Sequence, residues 1–221
     1  MKCSRLALLS FVFAVISGTV AHAQAGNAQA TKAQASNAQI DFAASYFQAF
    51  TSGTAGNGTK QTPTNSWGAM IEARYLMKPL VGFGFSYSYN RANQSFAPNG
   101  TTYSTCQLAC QNPVTNLRAF ADEISLDWVP SKQIGRVRPF AIGGIGFFIT
   151  SPANSVYEVN TVVRPVYVVG GGLDLAVTSH IGIRAQYRDN LYKAPNLSAL
   201  YFPTGVFTSS SEPMGGLFYR F

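Results

Sequence analysis

From Gln39 onward the chain alternates apolar and polar residues with period two. Between Ile40 and Phe50, the residues Ile40, Phe42, Ala44, Tyr46 and Phe50 share one face, while Asp41, Ala43 and Ser45 share the other. In the next segment Trp67, Ala69, Ile71, Ala73, Tyr75 and Met77 lie opposite Gly68, Glu72, Arg74 and Lys78. After Pro79, Val81, Phe83, Phe85, Tyr87 and Tyr89 alternate with Gly82, Gly84, Ser86, Ser88 and Asn90. Successive side chains of a strand point to opposite faces, so strict alternation over this length predicts strands and not helices.

Five further segments repeat the theme. A fourth strand is predicted from about Leu117 to Val129, with Ile124, Leu126 and Trp128 opposite Glu123, Ser125 and Asp127. A fifth, from about Val137 to Ile149, is rich in glycine (Gly143, Gly144, Gly146), and its facing is ambiguous in the sequence. The sixth covers about Val163 to Ala176, with Tyr167, Val169, Leu173 and Leu175 opposite Asp174. The seventh covers about Ile181 to Arg188, with Ile181, Ile183, Ala185 and Tyr187 opposite Arg184, Gln186 and Arg188. The eighth covers about Pro213 to Phe221, with Leu217, Tyr219 and Phe221 opposite Arg220.

Long connections (51–64, 91–116, 150–162, 189–212) alternate with short ones (around 78–80, 130–136, 177–180). Long loops on one edge and short turns on the other mark bacterial outer-membrane barrels, whose strands cross the bilayer in about 9–11 residues. A bilayer offers the backbone no water, so a sheet that crosses it must close on itself. The expected fold is therefore all-β, an eight-stranded antiparallel up-and-down transmembrane β-barrel over residues 39–221. An even strand count puts both ends of the sheet on the short-turn side, the periplasm. A soluble sandwich or lipocalin would have to cover the outward apolar set, and no helix-patterned segment exists to do so.

The front of the chain reads as targeting sequence. Lys2 and Arg5 precede an apolar run from Leu6 to Ile16, and Ala21-His22-Ala23 offers a small-x-small cleavage site, so residues 1–23 are read as a secretory signal peptide. Residues 24–38 form an Ala/Gln/Asn tract without a large apolar residue, expected to be a flexible periplasmic leader. Composition narrows the class further. Charged residues are only 11% of the chain against 47% hydrophobic, which argues against an ordinary soluble enzyme. Removing Lys2 and Arg5 lowers the formal charge from +7 to +5. The remaining cations are scattered, which does not fit a nucleic-acid partner. They suit an anionic surface or an arginine-rich lumen. Once Cys3 is removed with the signal, Cys106 and Cys110 are the only cysteines. Four residues apart in an oxidising compartment, they are expected to form a disulfide in the second long loop.

At the C-terminus Gly216, Tyr219 and Phe221 resemble the assembly signal of Gram-negative outer-membrane proteins, with Met214 where that signal usually begins on a polar residue. Val137-Arg138-Pro139-Phe140 and Gly170 to Leu175 are similar to segments of the small OmpA/OmpX-type barrels. The resemblance covers roughly residues 39–221 and implies the barrel domain alone, without a peptidoglycan-binding domain. It implies location in the outer membrane, contact with its lipids and lipopolysaccharide, and delivery by the outer-membrane assembly machinery. It leaves activity open, because this fold hosts adhesins, structural proteins, small pores and a few enzymes.

Candidate chemistry is sparse. Enzymes of this architecture place a His with Ser and a carboxylate near the outer rim. The single His after the signal, His180, falls in a short turn and reads as a polar turn residue. No G-x-S-x-G elbow, P-loop or second His for a metal is present, and no enzyme activity, metal or cofactor is expected. Glu72, Arg74, Glu123, Asp127, Asp174, Arg184, Arg188 and Arg220 alternate with lipid-facing residues and should point into the lumen. An eight-stranded barrel is just wide enough for side chains to fill, so this set is read as a salt-bridged plug with acids and bases equal in number, or else as a narrow ion path. Gly82 and Gly84 would provide the room. Two aromatic girdles are expected, with Trp67, Phe50, Tyr89 and Tyr187 on the loop side and Trp128, Tyr75, Tyr219 and Phe221 on the turn side. The loops, rich in Gly, Asn, Ser, Thr and Tyr, suit either adaptable binding of an extracellular ligand or inert solvation. Two functional classes follow: a non-enzymatic envelope protein with a structural or loop-binding role, and a small porin.

Overall fold

The computed structural model describes residues 38–78, 81–99, 115–153, 161–198 and 201–221. The signal peptide, the leader up to Asn37 and both loop cysteines lie outside the described residues. The chain forms β1 (Gln39–Thr51), β2 (Thr54–Gly56), β3 (Thr59–Pro63), β4 (Ser66–Lys78), β5 (Val81–Pro98), β6 (Thr115–Trp128), β7 (Val137–Pro152), β8 (Val162–Ala176), β9 (Ile181–Lys193) and β10 (Phe207–Arg220). Eight of these close a barrel. The order β5-β4-β1-β10-β9-β8-β7-β6 is completed by the pairing of β5 with β6, and every pairing is antiparallel. Neighbours in space are neighbours in sequence except where the β2–β3 hairpin intervenes, which makes the barrel up-and-down.

Alternation decides the facing. Along β1, Asp41, Ala43, Ser45, Phe47 and Ala49 are buried inside while the residues between them look outward. The outward set stays exposed: Phe83 is 54%, Leu126 64%, Ile145 64%, Val169 61% and Leu217 61% accessible. No helix occurs among the described residues, so nothing in them covers this belt. An apolar band of this extent is stable only in a non-aqueous surround, and with a closed sheet it makes a bilayer-spanning barrel. Trp67 stacks on Tyr46 at 5.3 Å between ring centroids on the loop side, and Tyr219 meets Phe221 edge-on at 4.9 Å on the turn side.

Several strand limits differ from the sequence expectation. β9 runs on to Lys193, and β10 begins at Phe207, six residues before the expected Pro213. In this stretch Ser209 and Ser211 point outward while Thr208, Ser210 and Glu212 point inward. From Thr208 to Glu212 both faces are polar, so the ladder continues after the period-two signal has vanished. The ambiguous fifth strand, β7, turns Arg138, Phe140, Ile142, Phe148 and Thr150 inward with Gly144 and Gly146. The first long loop holds a hairpin that the alternation did not show. Asn57 and Gly58, with φ of 49° and 73°, form its two-residue turn between the paired Gly56 and Thr59. An Asn-Gly pair is the usual sequence for a turn with positive φ at both central positions, so a local signal was present.

Candidate functional site

The lumen near the short-turn edge is occupied by one continuous ion-pair cluster. Register builds it. β1 sets Asp41 opposite Arg220 on β10 and opposite Arg74 on β4, while β8 sets Asp174 opposite Arg138 on β7 and Arg184 on β9. Arg184 donates from Nε and Nη2 to the two oxygens of Asp174 at 2.7 and 3.0 Å, and from Nη1 to Glu72 Oε2 at 2.8 Å. Arg74 Nε donates to the other oxygen of Glu72 at 2.6 Å, and its Nη2 to Gln186 Oε1 at 2.6 Å. Arg138 joins Asp174 to Asp41 through one guanidinium nitrogen and reaches Gln39 Oε1 at 2.9 Å through another. Arg220 closes the edge on Asp41 at 3.2 Å. The Arg74 guanidinium also lies 4.0 Å above the Phe140 ring.

A second cluster lies toward the loops. Arg188 Nη2 donates to Glu123 Oε1 at 2.9 Å and to Ser125 Oγ at 3.0 Å, and its Nη1 donates to Ser86 Oγ at 3.0 Å. Asn190 Nδ2 holds the other Glu123 oxygen at 2.7 Å. Asp127 accepts from the Ser125 hydroxyl at 3.0 Å and stands 3.8 Å from Arg188. Room for its carboxylate comes from Gly144 on the facing strand, where a Cβ would run into Asp127 Oδ1. Of the two expected spacers, Gly84 would bring an added Cβ to Val129 at 3.3 Å and to Asp127 and Arg74 at 3.6 and 3.7 Å, and Gly82 faces Leu76 and Val129 and no charge.

Seven of the eight expected lumen residues are buried and Arg220, its side chain 14% exposed, sits at the turn-side rim; three further buried charges, Asp41, Arg138 and Glu212, were not in the expected set. Asp41 falls on the inward face of its segment in the sequence, where its charge is the signal that marks it for the lumen. Arg138 was hidden by the ambiguous facing of β7, and Glu212 by the late expected start of β10. The expectation of acids and bases matched in number is corrected accordingly. Three arginines share Asp41, whereas Glu212, 2% exposed, has no ion pair within 4.0 Å among the described residues. Its register partner Arg188 is drawn to Glu123 and Asp127 instead. Arginine side chains are long enough to choose partners across the lumen, so pairing follows reach and not count.

Above the charges the lumen becomes apolar and then covered. Phe148 and Tyr192 stack at 4.2 Å, packed with Val166, Val168 and Ile142. The segment after β9 then folds over the loop end: Ala194, Leu197, Ser198, Tyr201 and Thr204 are all buried. It is tied down by Gln61 Nε2 to Pro195 O at 3.1 Å and by Asn57 Nδ2 to Pro203 O at 2.9 Å, both donors from the β2–β3 hairpin. The Tyr201 ring stacks on Phe96 at 6.0 Å. Beneath this cover a cavity of about 10 Å³, lined by Thr51, Gln61, Gln94, Tyr192 and Thr208, has room for a single water at most.

The remaining expected residues are placed as follows. His180 is exposed in the β8–β9 turn, its Nδ1 3.0 Å from Arg220 O and its ring stacked on Tyr219. Trp67, Tyr89 and Tyr187 look outward near the loop side, and Tyr75, Trp128, Tyr219 and Phe221 near the turn side. Gly216 lies against β1, with Ala44 O and Ser45 Oγ in the way of any Cβ, and the Phe221 amide donates to Ile40 O at 3.0 Å. No group of three or more potential metal ligands occurs among the described residues.

No family model matches the chain, and no curated protein does. Among solved structures it is similar to the outer membrane protein AlkL in lipid bilayers, at 13% identity and TM-score 0.50, over 90% of this chain and 97% of that one. It is also similar to Ail of Yersinia pestis (16% identity, TM-score 0.48, 83% of this chain and 99% of that one). A third is OprG of Pseudomonas aeruginosa (11% identity, TM-score 0.48, 83% and 96%). Together with the closed sheet and its apolar belt, the likeness to AlkL identifies the fold as that of the small eight-stranded outer-membrane β-barrels.

Proposed function

We propose that the protein is a non-enzymatic integral outer-membrane protein, its lumen sealed, that acts through its mass in the envelope and through the surface of its loops. The observation that carries this reading is the pair of seals in series. The turn-side lumen is filled by arginine–carboxylate pairs buried to within a few per cent, and at the loop end residues 194–198 and 201–206 pack on the β2–β3 hairpin. A conducting path of this diameter would need small or one-signed lining residues. Here Arg74, Arg184 and Arg188 are among the largest fully buried side chains. A barrel that spends its interior on cohesion leaves its outer wall for lipids and its loops for partners, the ligand of which would be extracellular.

Single-channel recording on refolded protein in planar bilayers tests this directly. The expected result is small or absent conductance. Large, stable currents proportional to salt concentration would overturn the sealed lumen and establish a small porin.

A further inference from the structure

On the outer wall of β5 and β6, one register above the aromatic belt, two arginines stand where a lipid headgroup would lie. Arg91 is exposed, opposite Trp67 on β4 and opposite Phe120 on β6. Its guanidinium is 5.6 Å from the centroid of the Phe120 ring, which itself stacks on Tyr89 at 6.1 Å. Arg118, also exposed, pairs with Asn93, which makes it the diagonal neighbour of Arg91 on the same outward face, about 7–8 Å away along the sheet. Neither arginine has a carboxylate within 4.0 Å among the described residues. The nearest outward acid in the register, Asp122, accepts a hydrogen bond from the Tyr87 hydroxyl at 2.7 Å and is committed there.

The five arginines of the lumen, Arg74, Arg138, Arg184, Arg188 and Arg220, each have a carboxylate within 4.0 Å. Two left unpaired side by side, with aromatic rings beneath them at the water–hydrocarbon boundary, call for an anion from outside. Aromatic rings mark headgroup depth, and guanidinium matches phosphate through two parallel hydrogen bonds. The geometry points to a binding site for a phosphorylated lipid headgroup of the loop-side leaflet, held by Arg91 and Arg118 over the Tyr89–Phe120 stack. It rests on the membrane-barrel reading and names one partner of that wall.

The test uses full-length protein refolded into phosphatidylcholine vesicles that carry a minor fraction of bisphosphorylated lipid A, with lipid retained on the protein measured by native mass spectrometry. Wild type is expected to retain lipid A over phosphatidylcholine. Arg91→Gln and Arg118→Gln should each weaken retention about fivefold and the double variant about 25-fold, as expected for the loss of one cation near an anionic surface per step. Lys193→Gln, an exposed cation on distant β9, should leave retention unchanged. The site is overturned if the double variant binds like wild type, if Lys193→Gln loses as much, or if dephosphorylated lipid A binds equally well. Displacement by millimolar inorganic phosphate would also overturn it, showing a free-anion site. Failure to insert into vesicles of either composition would refute the barrel reading instead, and gel mobility before and after boiling records that separately.

Discussion

Asp174 and Arg184 face each other across the β8–β9 ladder and share two parallel hydrogen bonds of 2.7 and 3.0 Å. The same guanidinium spans the lumen to Glu72 on β4, so one side chain couples opposite walls of the barrel. Removing it leaves two buried carboxylates short of their main donor. Arg184→Ala should destabilise the barrel by about 3–5 kcal/mol, the usual cost of breaking a buried pair, and admit water into the turn-side lumen. Unfolding in urea followed by gel mobility checks the first effect, and conductance the second. A variant as stable and as closed as wild type would refute the plug.

The unequal pairing predicts a contrast between two carboxylates. Asp41→Asn weakens contacts to Arg138, Arg184 and Arg220 at once, and should cost about 3–5 kcal/mol. Glu212→Gln replaces a buried carboxyl group that has no ion pair and keeps the hydrogen-bonding shape of the side chain, so its cost should stay below about 1 kcal/mol. Parallel urea titrations of the two variants check the order, which reverses if Glu212 anchors Arg188.

Gly144 makes room for Asp127. Gly144→Ala should cost about 1–3 kcal/mol through overpacking, because the added methyl meets both the Asp127 carboxylate and the Leu126 carbonyl. Gly143→Ala, one residue away on the outward face with nothing within 4 Å, should be nearly silent. Thermal unfolding of the pair separates a local clash from a general intolerance of β7.

A closed sheet with every strand paired resists detergent until heated. Unboiled protein should therefore migrate differently from boiled protein on a gel. Identical migration, with solubility in the absence of detergent, would return the chain to the soluble β class.

Cys106 and Cys110 lie outside the described residues, and the expectation for them rests on spacing and compartment alone. Native protein should show no accessible thiol before reduction and two after it. The enclosed loop is short, so the stabilisation should fall at or below the ~3 kcal/mol estimated for a 15-residue loop, and reduction should leave the barrel folded.

The alternation of Trp67 to Met77 against Gly68 to Lys78, and its seven counterparts, determined the eight barrel strands and the facing of all of them but β7, and with the alternating loop lengths the bilayer-spanning closure. Period two is a local property, and a strand buried in lipid on one side and crowded by side chains on the other must display it. What the alternation could not carry is what depends on partners far along the chain. The union of Asp41, Arg138, Asp174 and Arg184 joins four strands through ladder register, and no spacing within one strand encodes it. The extensions of β9 and β10 were invisible because their two faces do not contrast: in β10 Ser209 and Ser211 outside alternate with Thr208 and Ser210 inside, all polar, and in β9 Leu191 outside is followed by Tyr192 inside, both apolar. The fold of residues 194–198 and 201–206 over the mouth belongs to the same class. Its anchors are backbone carbonyls at Pro195 and Pro203 that accept from the β2–β3 hairpin, and a carbonyl is present at every residue, so only the tertiary structure decides which one is used.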